Sequence, residues 1–87
     1  MPHEVVRVEP VAGHRLVLAF RNGEQREIDI SRLVPFEGVF KPLEDPAYFR
    51  RVAVNADIGS IAWPNGADIC PDVLYQESRA VGTGHAA

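Results

Sequence analysis

The chain has 87 residues and a net charge of −3 with its histidines neutral. A chain of this length folds as one domain around a single modest core. Hydrophobic residues make up 46% and charged residues 24%, a balance typical of a globular domain rather than a disordered chain. The negative charge disfavours direct nucleic-acid binding, because phosphate contacts need a basic face. No apolar run approaches the roughly 20 residues that cross a bilayer, so we expect no membrane association.

The cysteine content and the first residues favour a cytoplasmic location. Cys70 is the only cysteine, so no internal disulfide forms and the fold needs no oxidising compartment. Residues 1–4 lack the charged and then apolar pattern of a secretory signal. We therefore expect a cytoplasmic protein.

The first half of the chain predicts three antiparallel strands. Their predicted ranges are 5–11, 14–20 and about 24–30. A two-residue loop at Asn22 and Gly23 would place Leu18 opposite Glu27 and separate the apolar faces of the last two strands. A three-residue loop that includes Arg21, with Gly23 left-handed, brings those faces together. We therefore prefer the three-residue loop.

A second hairpin with the same kind of loop is predicted at 64–66, Pro-Asn-Gly. The proline suits the first turn position, because its φ is fixed, and the glycine suits the left-handed position. Trp63 then lies opposite Ala67, and Ile61 lies opposite Ile69. Both pairs are apolar, which favours this register.

The connector between the hairpins, 31–51, predicts short helical pieces. Ser31 is expected to cap a turn that Pro35 stops, and 38–43 to form a turn or a helical loop. Asp45 then caps a helix that begins with Pro46. We expect the apolar side chains of the connector to anchor it on the sheet; they are Phe36, Phe40, Leu43 and Phe49.

The chain ends with a predicted helix from Pro71 to about Ser78, with Asp72 in its first turn. We expect one ordered domain over 1–79 and a disordered tail over 80–87. The predicted fold class is α+β: small antiparallel β-hairpins, a loop-helix connector and a C-terminal helix packed on the sheet.

Four segments form a combined pattern: 20–24 (Phe-Arg-Asn-Gly-Glu), 28–30 (Ile-Asp-Ile), 38–43 (Gly-Val-Phe-Lys-Pro-Leu) and 63–68 (Trp-Pro-Asn-Gly-Ala-Asp). Together with Pro71 and Tyr75 they resemble the small bacterial family called domain of unknown function 2442. The resemblance implies a compact α+β domain with no established catalytic residues. It also implies two arrangements. Some relatives are joined to a helix-turn-helix DNA-binding domain, and others lie beside another short protein, an arrangement similar to that of toxin–antitoxin pairs.

Trp63 has two interpretations. A lone tryptophan in a small domain usually fills the core, and we favour that. The alternative is an aromatic anchor for a partner or ligand, with Tyr75 closing over the same patch. The candidate partner or ligand surface is Trp63, Asn65, Asp68 and Tyr75.

Residues that could support chemistry are few. Cys70 has no histidine expected within reach, and Asp57, Asp68 and Asp72 suit turns and a helix start better than a metal site. The sequence has no zinc-ligand spacing of cysteine and histidine. We expect no catalytic residue, no cofactor and no bound metal.

These observations favour a non-catalytic protein-interaction or regulatory module, an antitoxin-like partner of a neighbouring small protein. The alternative is a small metal-dependent or hydrolytic enzyme that uses the Asp57, Asp68 and Asp72 region. Self-association through an exposed strand edge is a third interpretation.

Overall fold

The structure, a computed structural model, describes residues 3–81. Within this range the chain forms two antiparallel sheets and four short helical segments. The first sheet has the order β1-β2-β3-β7, with β1 Val5–Pro10, β2 Arg15–Phe20, β3 Gln25–Asp29 and β7 Arg79–Ala80. The second has the order β4-β5-β6, with β4 Ala53–Asn55, β5 Ser60–Ala62 and β6 Asp68–Ile69. The helical segments are α1 Ile30–Leu33, a 3₁₀ helix Gly38–Glu44, α2 Pro46–Phe49 and α3 Pro71–Glu77. The predicted α+β class is confirmed.

The register of the β2–β3 hairpin follows from its loop. Leu16 lies opposite Ile28, so the apolar faces of both strands coincide. Gly23 has a φ of 94°, and its N–H donates to the Phe20 carbonyl at 2.9 Å. The predicted three-residue loop with a left-handed glycine is confirmed.

The β5–β6 hairpin uses the same loop. Ile61 lies opposite Ile69, and the Trp63 N–H donates to the Ala67 carbonyl at 2.8 Å. Gly66 has a φ of 91°. Both predicted pairings are confirmed.

The two sheets meet at the start of β1. The Val5 N–H donates to the Gly59 carbonyl at 2.8 Å, which joins β1 to the turn between β4 and β5. The pairing of β1 with β2 shifts by one residue between Val5 and Arg7, so Val6 forms a bulge. The bulge leaves Val6 half exposed while Val5 is buried.

The buried apolar residues of both sheets, the connector and α3 form one core cluster. Leu43 and Phe49 are fully buried in it, and Phe36 and Phe40 pack against it half-buried. The connector is therefore anchored by the four side chains predicted for it. Leu74 attaches α3 to the same core with no exposed surface.

One predicted helix cap is confirmed and one is wrong. Asp45 Oδ1 accepts the Ala47 N–H at 3.0 Å, as a cap of α2 does. Ser31 does not cap α1, because β3 runs directly into that helix. Asp29 is the cap instead: its carboxylate accepts both the N–H and the hydroxyl of Ser31, at 3.0 and 2.6 Å.

The predicted domain boundary at residue 79 falls inside a strand. Ala80 lies opposite Arg26 in β7, and the Val81 N–H donates to the Gln25 carbonyl at 3.0 Å. Backbone hydrogen bonds hold this strand in place. Its sequence therefore has no apolar pattern from which the strand could be predicted. Residues 82–87 of the predicted tail lie outside the described residues. No helix within residues 3–81 has the length and hydropathy to span a membrane.

Candidate functional site

Trp63 belongs to the core. Only 3% of its surface is exposed, and its ring lies 5.9 Å from that of Phe49. The indole N–H donates to the Phe49 carbonyl at 3.0 Å, so the polar end of the side chain is satisfied inside the protein. Of the two interpretations of this residue, the structure supports the core one.

Asn65 is exposed, yet its polar groups are used within the fold. Its side-chain N–H donates to the Val39 carbonyl at 2.8 Å, and its Oδ1 accepts the Ala67 N–H at 3.1 Å. Its backbone N–H donates to the Tyr48 hydroxyl at 2.9 Å. The hairpin loop is thereby tied to the 3₁₀ helix and to α2. This accounts for the distinctive motif at 63–68 without a ligand.

The acidic candidates are dispersed over separate elements. Asp68 is exposed on β6, and the Asp57 N–H donates to Asn55 Oδ1 at 3.1 Å within a turn. Asp72 lies in the first turn of α3, where one carboxylate oxygen is 3.5 Å from His3 Nδ1. Within residues 3–81 no group of three or more histidine, cysteine or acidic side chains is arranged to hold a metal ion.

Tyr75 lies in different surroundings from Trp63. Its ring stacks on His3 at 3.9 Å and meets Phe20 edge-on at 5.2 Å. Its hydroxyl donates to Glu24 Oε2 at 2.6 Å. These contacts attach Tyr75 to the β2–β3 hairpin. None of them involves Trp63, so they do not form the joint patch that the sequence predicts.

Arg26 is the centre of a polar cluster around Tyr75, which we call the clamp and define as Glu24, Arg26, Tyr75 and Ser78. Arg26 donates to the Ser78 hydroxyl and carbonyl at 2.8 and 2.7 Å and to Glu24 Oε1 at 3.0 Å. Its guanidinium also lies 4.3 Å from the centre of the Tyr75 ring. The clamp fixes the end of α3 on β3.

The hydrogen bond between Tyr75 and Glu24 shifts the pKa of both groups. The donated hydroxyl lowers the pKa of Glu24 below its ordinary value, and Arg26 adds to that effect. The same bond raises the pKa of Tyr75, because the carboxylate favours the protonated phenol. The clamp residues satisfy one another, which is the behaviour of a structural cluster.

A cavity of about 470 Å³ opens beside the clamp. We call it the charged cleft. It lies where β3, α1 and the segment from α3 to β7 come together, with Ile28 and Leu33 as its apolar lining. Its charged side chains are Arg15, Glu27, Asp29, Arg32, Glu77 and Arg79. Its volume is within the range of small-ligand sites, but its lining is mostly charged, whereas such sites are mostly apolar.

One ion pair lies inside the charged cleft, and one of its carboxylates is a helix cap. Arg15 Nε lies 3.5 Å from a Glu27 carboxylate oxygen, and the Asp29 carboxylate caps α1. Arg32, Arg79 and Glu77 form no ion pair and no side-chain hydrogen bond with any residue from 3 to 81. Among residues 3–81 the charged cleft therefore holds two guanidinium groups and one carboxylate without a charged partner, beside the Asp29 carboxylate, which keeps its negative charge as the cap of α1.

The charged cleft is not predicted from the sequence. Its six charged residues are spread from position 15 to position 79, and no local spacing connects them. They meet because β7 returns to the edge of β3, and no sequence pattern predicts that strand.

Comparison with known proteins identifies a family. The model of a family described as "Protein of unknown function (DUF2442)" matches residues 5–80. No curated protein and no solved structure matches the chain significantly.

Proposed function

The chain belongs to the DUF2442 family of proteins of unknown function, and from that premise we propose that it is a non-catalytic protein-interaction module. Its role is regulatory: it binds a neighbouring small protein as an antitoxin-like partner. The observation that carries the proposal is the charged cleft, in which ordered elements present unpaired charges of both signs. Charge complementarity of this kind gives partner specificity and orientation.

The roles of the other candidate residues support the same proposal. The exposed Asn65 and the half-buried Tyr75 are used in hydrogen bonds that hold the fold together. Cys70 is free and exposed, which suits a reducing compartment, and we keep a cytoplasmic location as part of the proposal.

Co-expression with the product of the adjoining gene tests this function. We expect the two proteins to elute together in size-exclusion chromatography, with a mass by light scattering equal to the sum of one or more copies of each. The chain should also relieve any growth inhibition that the neighbour causes. Separate elution together with unrelieved inhibition would contradict the proposal.

A further inference from the structure

We propose that residues 75–81 form a strap that opens from β3 while the rest of the domain stays folded, with Arg26 as its latch. The strap contains the last three residues of α3 and the whole of β7. It carries Glu77 and Arg79, two charged side chains of the charged cleft, so its opening takes that surface apart. In this last respect the inference rests on the proposed function. The opening itself is a property of the isolated chain.

The strap contributes little apolar surface to the core. Ser78, a polar residue, is its one buried residue, and Tyr75 and Val81 are half-buried. The edge-on contact of the Tyr75 ring with Phe20 is its main apolar contact. The residue before the strap, Leu74, has no exposed surface. Hydrophobic burial therefore holds α3 as far as Leu74 and stabilises the strap much less.

The last turn of α3 depends on contacts outside the helix. α3 has seven residues, whereas an isolated helix needs about 12–15 to be even marginally stable in water. Its final turn is closed by the Ser78 N–H, which donates to the Leu74 carbonyl at 3.1 Å. This turn stays formed only while other contacts hold Ser78 in place.

Arg26 supplies those contacts from β3. Its guanidinium donates to the hydroxyl and to the carbonyl of Ser78 and lies over the Tyr75 ring. The Ser78 hydroxyl donates in turn to the Tyr75 carbonyl at 3.0 Å, which keeps these two strap residues together. When the strap opens, water replaces these hydrogen-bond partners, so the net stabilisation from each bond is modest. Arg26 thus acts as a latch that can be released.

The position of Arg26 also favours opening. It lies opposite Leu18 on the face of the sheet where Leu18 and Ile28 are buried. Its side chain is only 17% exposed, so the closed strap keeps a charge largely out of water. The desolvation of that charge offsets much of what its partners contribute. An apolar side chain at this position would favour the closed strap, whereas arginine regains its hydration when the strap leaves.

The strand β7 adds little to the attachment. It pairs with β3 through Arg79 and Ala80, both exposed, and the Val81 N–H donates to the Gln25 carbonyl at 3.0 Å. A strand of two residues is far shorter than the five or six that are usual in a sheet. Once the latch is released, we therefore expect the strap to leave β3 as one unit.

Native-state hydrogen exchange of the isolated full chain tests the opening. The reporters are the N–H groups of Ser78 and Val81, and the references are those of Ile30 and Trp63, which are bonded elsewhere in the fold. We expect both reporters to have the same protection factor, lower than that of the references by roughly tenfold or more. Low concentrations of urea should reduce the protection of the references and leave that of the reporters unchanged, because a local opening exposes little surface.

Substitutions at the latch test its role, with matched controls. R26Q should lower the protection of both reporters by roughly fivefold or more and leave the references unchanged. Y75F removes the hydroxyl that donates to Glu24 and should act in the same direction. The controls R7Q and Y48F make the same chemical changes away from the strap and should leave the reporters unchanged.

Three results would overturn the inference. They are reporters as well protected as the references, a fast Val81 beside a fully protected Ser78, which is simple fraying of the chain end, and an R26Q variant that changes reporters and references equally or changes neither. These results need no partner, so they are distinguishable from failure of the proposed function.

The complex with the neighbouring protein tests the link to the charged cleft. A partner bound to the charged cleft should raise the protection of both reporters by roughly tenfold or more, because it contacts Glu77 and Arg79 in the closed strap. A stable complex with unchanged protection would retain the proposed function and show that the strap does not control this surface.

Discussion

Gly59 shows how a single residue can fix the relation between the two sheets. Its φ is 70°, a left-handed value that favours glycine, and its carbonyl accepts the Val5 N–H. A Cβ at this position would collide with Glu4 Cγ and lie 3.1 Å from Glu4 Cα. Both the backbone conformation and the space therefore require glycine.

Replacement of Gly59 by alanine should destabilise the protein more than the same replacement at Gly13. Gly13 has nearly the same φ, 68°, but a Cβ at that position would meet no atom within 4 Å. Gly13→Ala should cost about 1–2 kcal/mol from the left-handed conformation alone, and Gly59→Ala roughly 1–3 kcal/mol more from overpacking. Urea unfolding of both variants measures the difference. Equal losses would show that the contact with Glu4 relaxes without cost.

Trp63 offers a second test at this scale, because its indole N–H is bonded inside the core. Trp63→Phe removes this hydrogen bond, while the Phe49 carbonyl still accepts the Val52 N–H at 3.3 Å. The lost bond should therefore cost about 0.5–1.5 kcal/mol in addition to the lost volume. Tyr48→Phe is the control, since the Asn65 N–H that it releases is exposed to water. Urea unfolding and partner binding should be measured together. A Trp63→Phe variant that keeps its stability but loses the partner would mark Trp63 as a binding residue.

At the scale of elements, the clamp couples α3 and β7 to β3. The Tyr75 hydroxyl, with help from Arg26, lowers the pKa of Glu24 below its ordinary value of 4.5. A carboxylate whose pKa is lowered by folding stabilises the protein above its unfolded pKa. That contribution is lost as the pH falls through the lower, folded value.

In the Glu24→Gln variant the free energy of unfolding should therefore fall less steeply as the pH is lowered. The check is the urea midpoint, followed from neutral pH to well below 4.5. Asp68→Asn is the control, because it removes an exposed carboxylate from β6, away from the clamp. Superimposable curves for wild type and Glu24→Gln would contradict the role of the clamp.

The elements differ in how far the sequence predicts them. Both hairpin loops are predictable, because a left-handed glycine and the matching of apolar faces are local properties of 20–28 and 61–69. The strand β7 is not, because it depends on backbone bonds to β3 and on contacts between Arg26 and Ser78, 52 residues apart. The charged cleft escapes prediction for the same reason. The predicted cap of α1 is wrong because Asp29 is both the last residue of β3 and the N-cap of α1.

At the scale of the whole molecule, the sheet edges bear on self-association. The outer strand β1 carries a bulge at Val6 and ends at Pro10, both of which protect an edge from pairing. The other outer strands, β4, β6 and β7, have three, two and two residues. Short or interrupted edges are poor templates for a second copy.

We therefore predict that the isolated chain is a monomer. Light scattering over a wide concentration range measures this. It should give a single mass of one chain. A dimer fraction that increases with concentration would indicate that an edge strand pairs with a second copy of the chain.

We propose that the tryptophan motif at 63–68 stabilises the fold and that the charged cleft contacts the partner. Amide signal mapping of the labelled chain in its complex with the neighbouring protein tests it most directly. We predict that the largest shifts fall on Asp29, Arg32, Glu77 and Arg79. Shifts centred on Asn65 and Asp68, with the charged cleft unmoved, would contradict it.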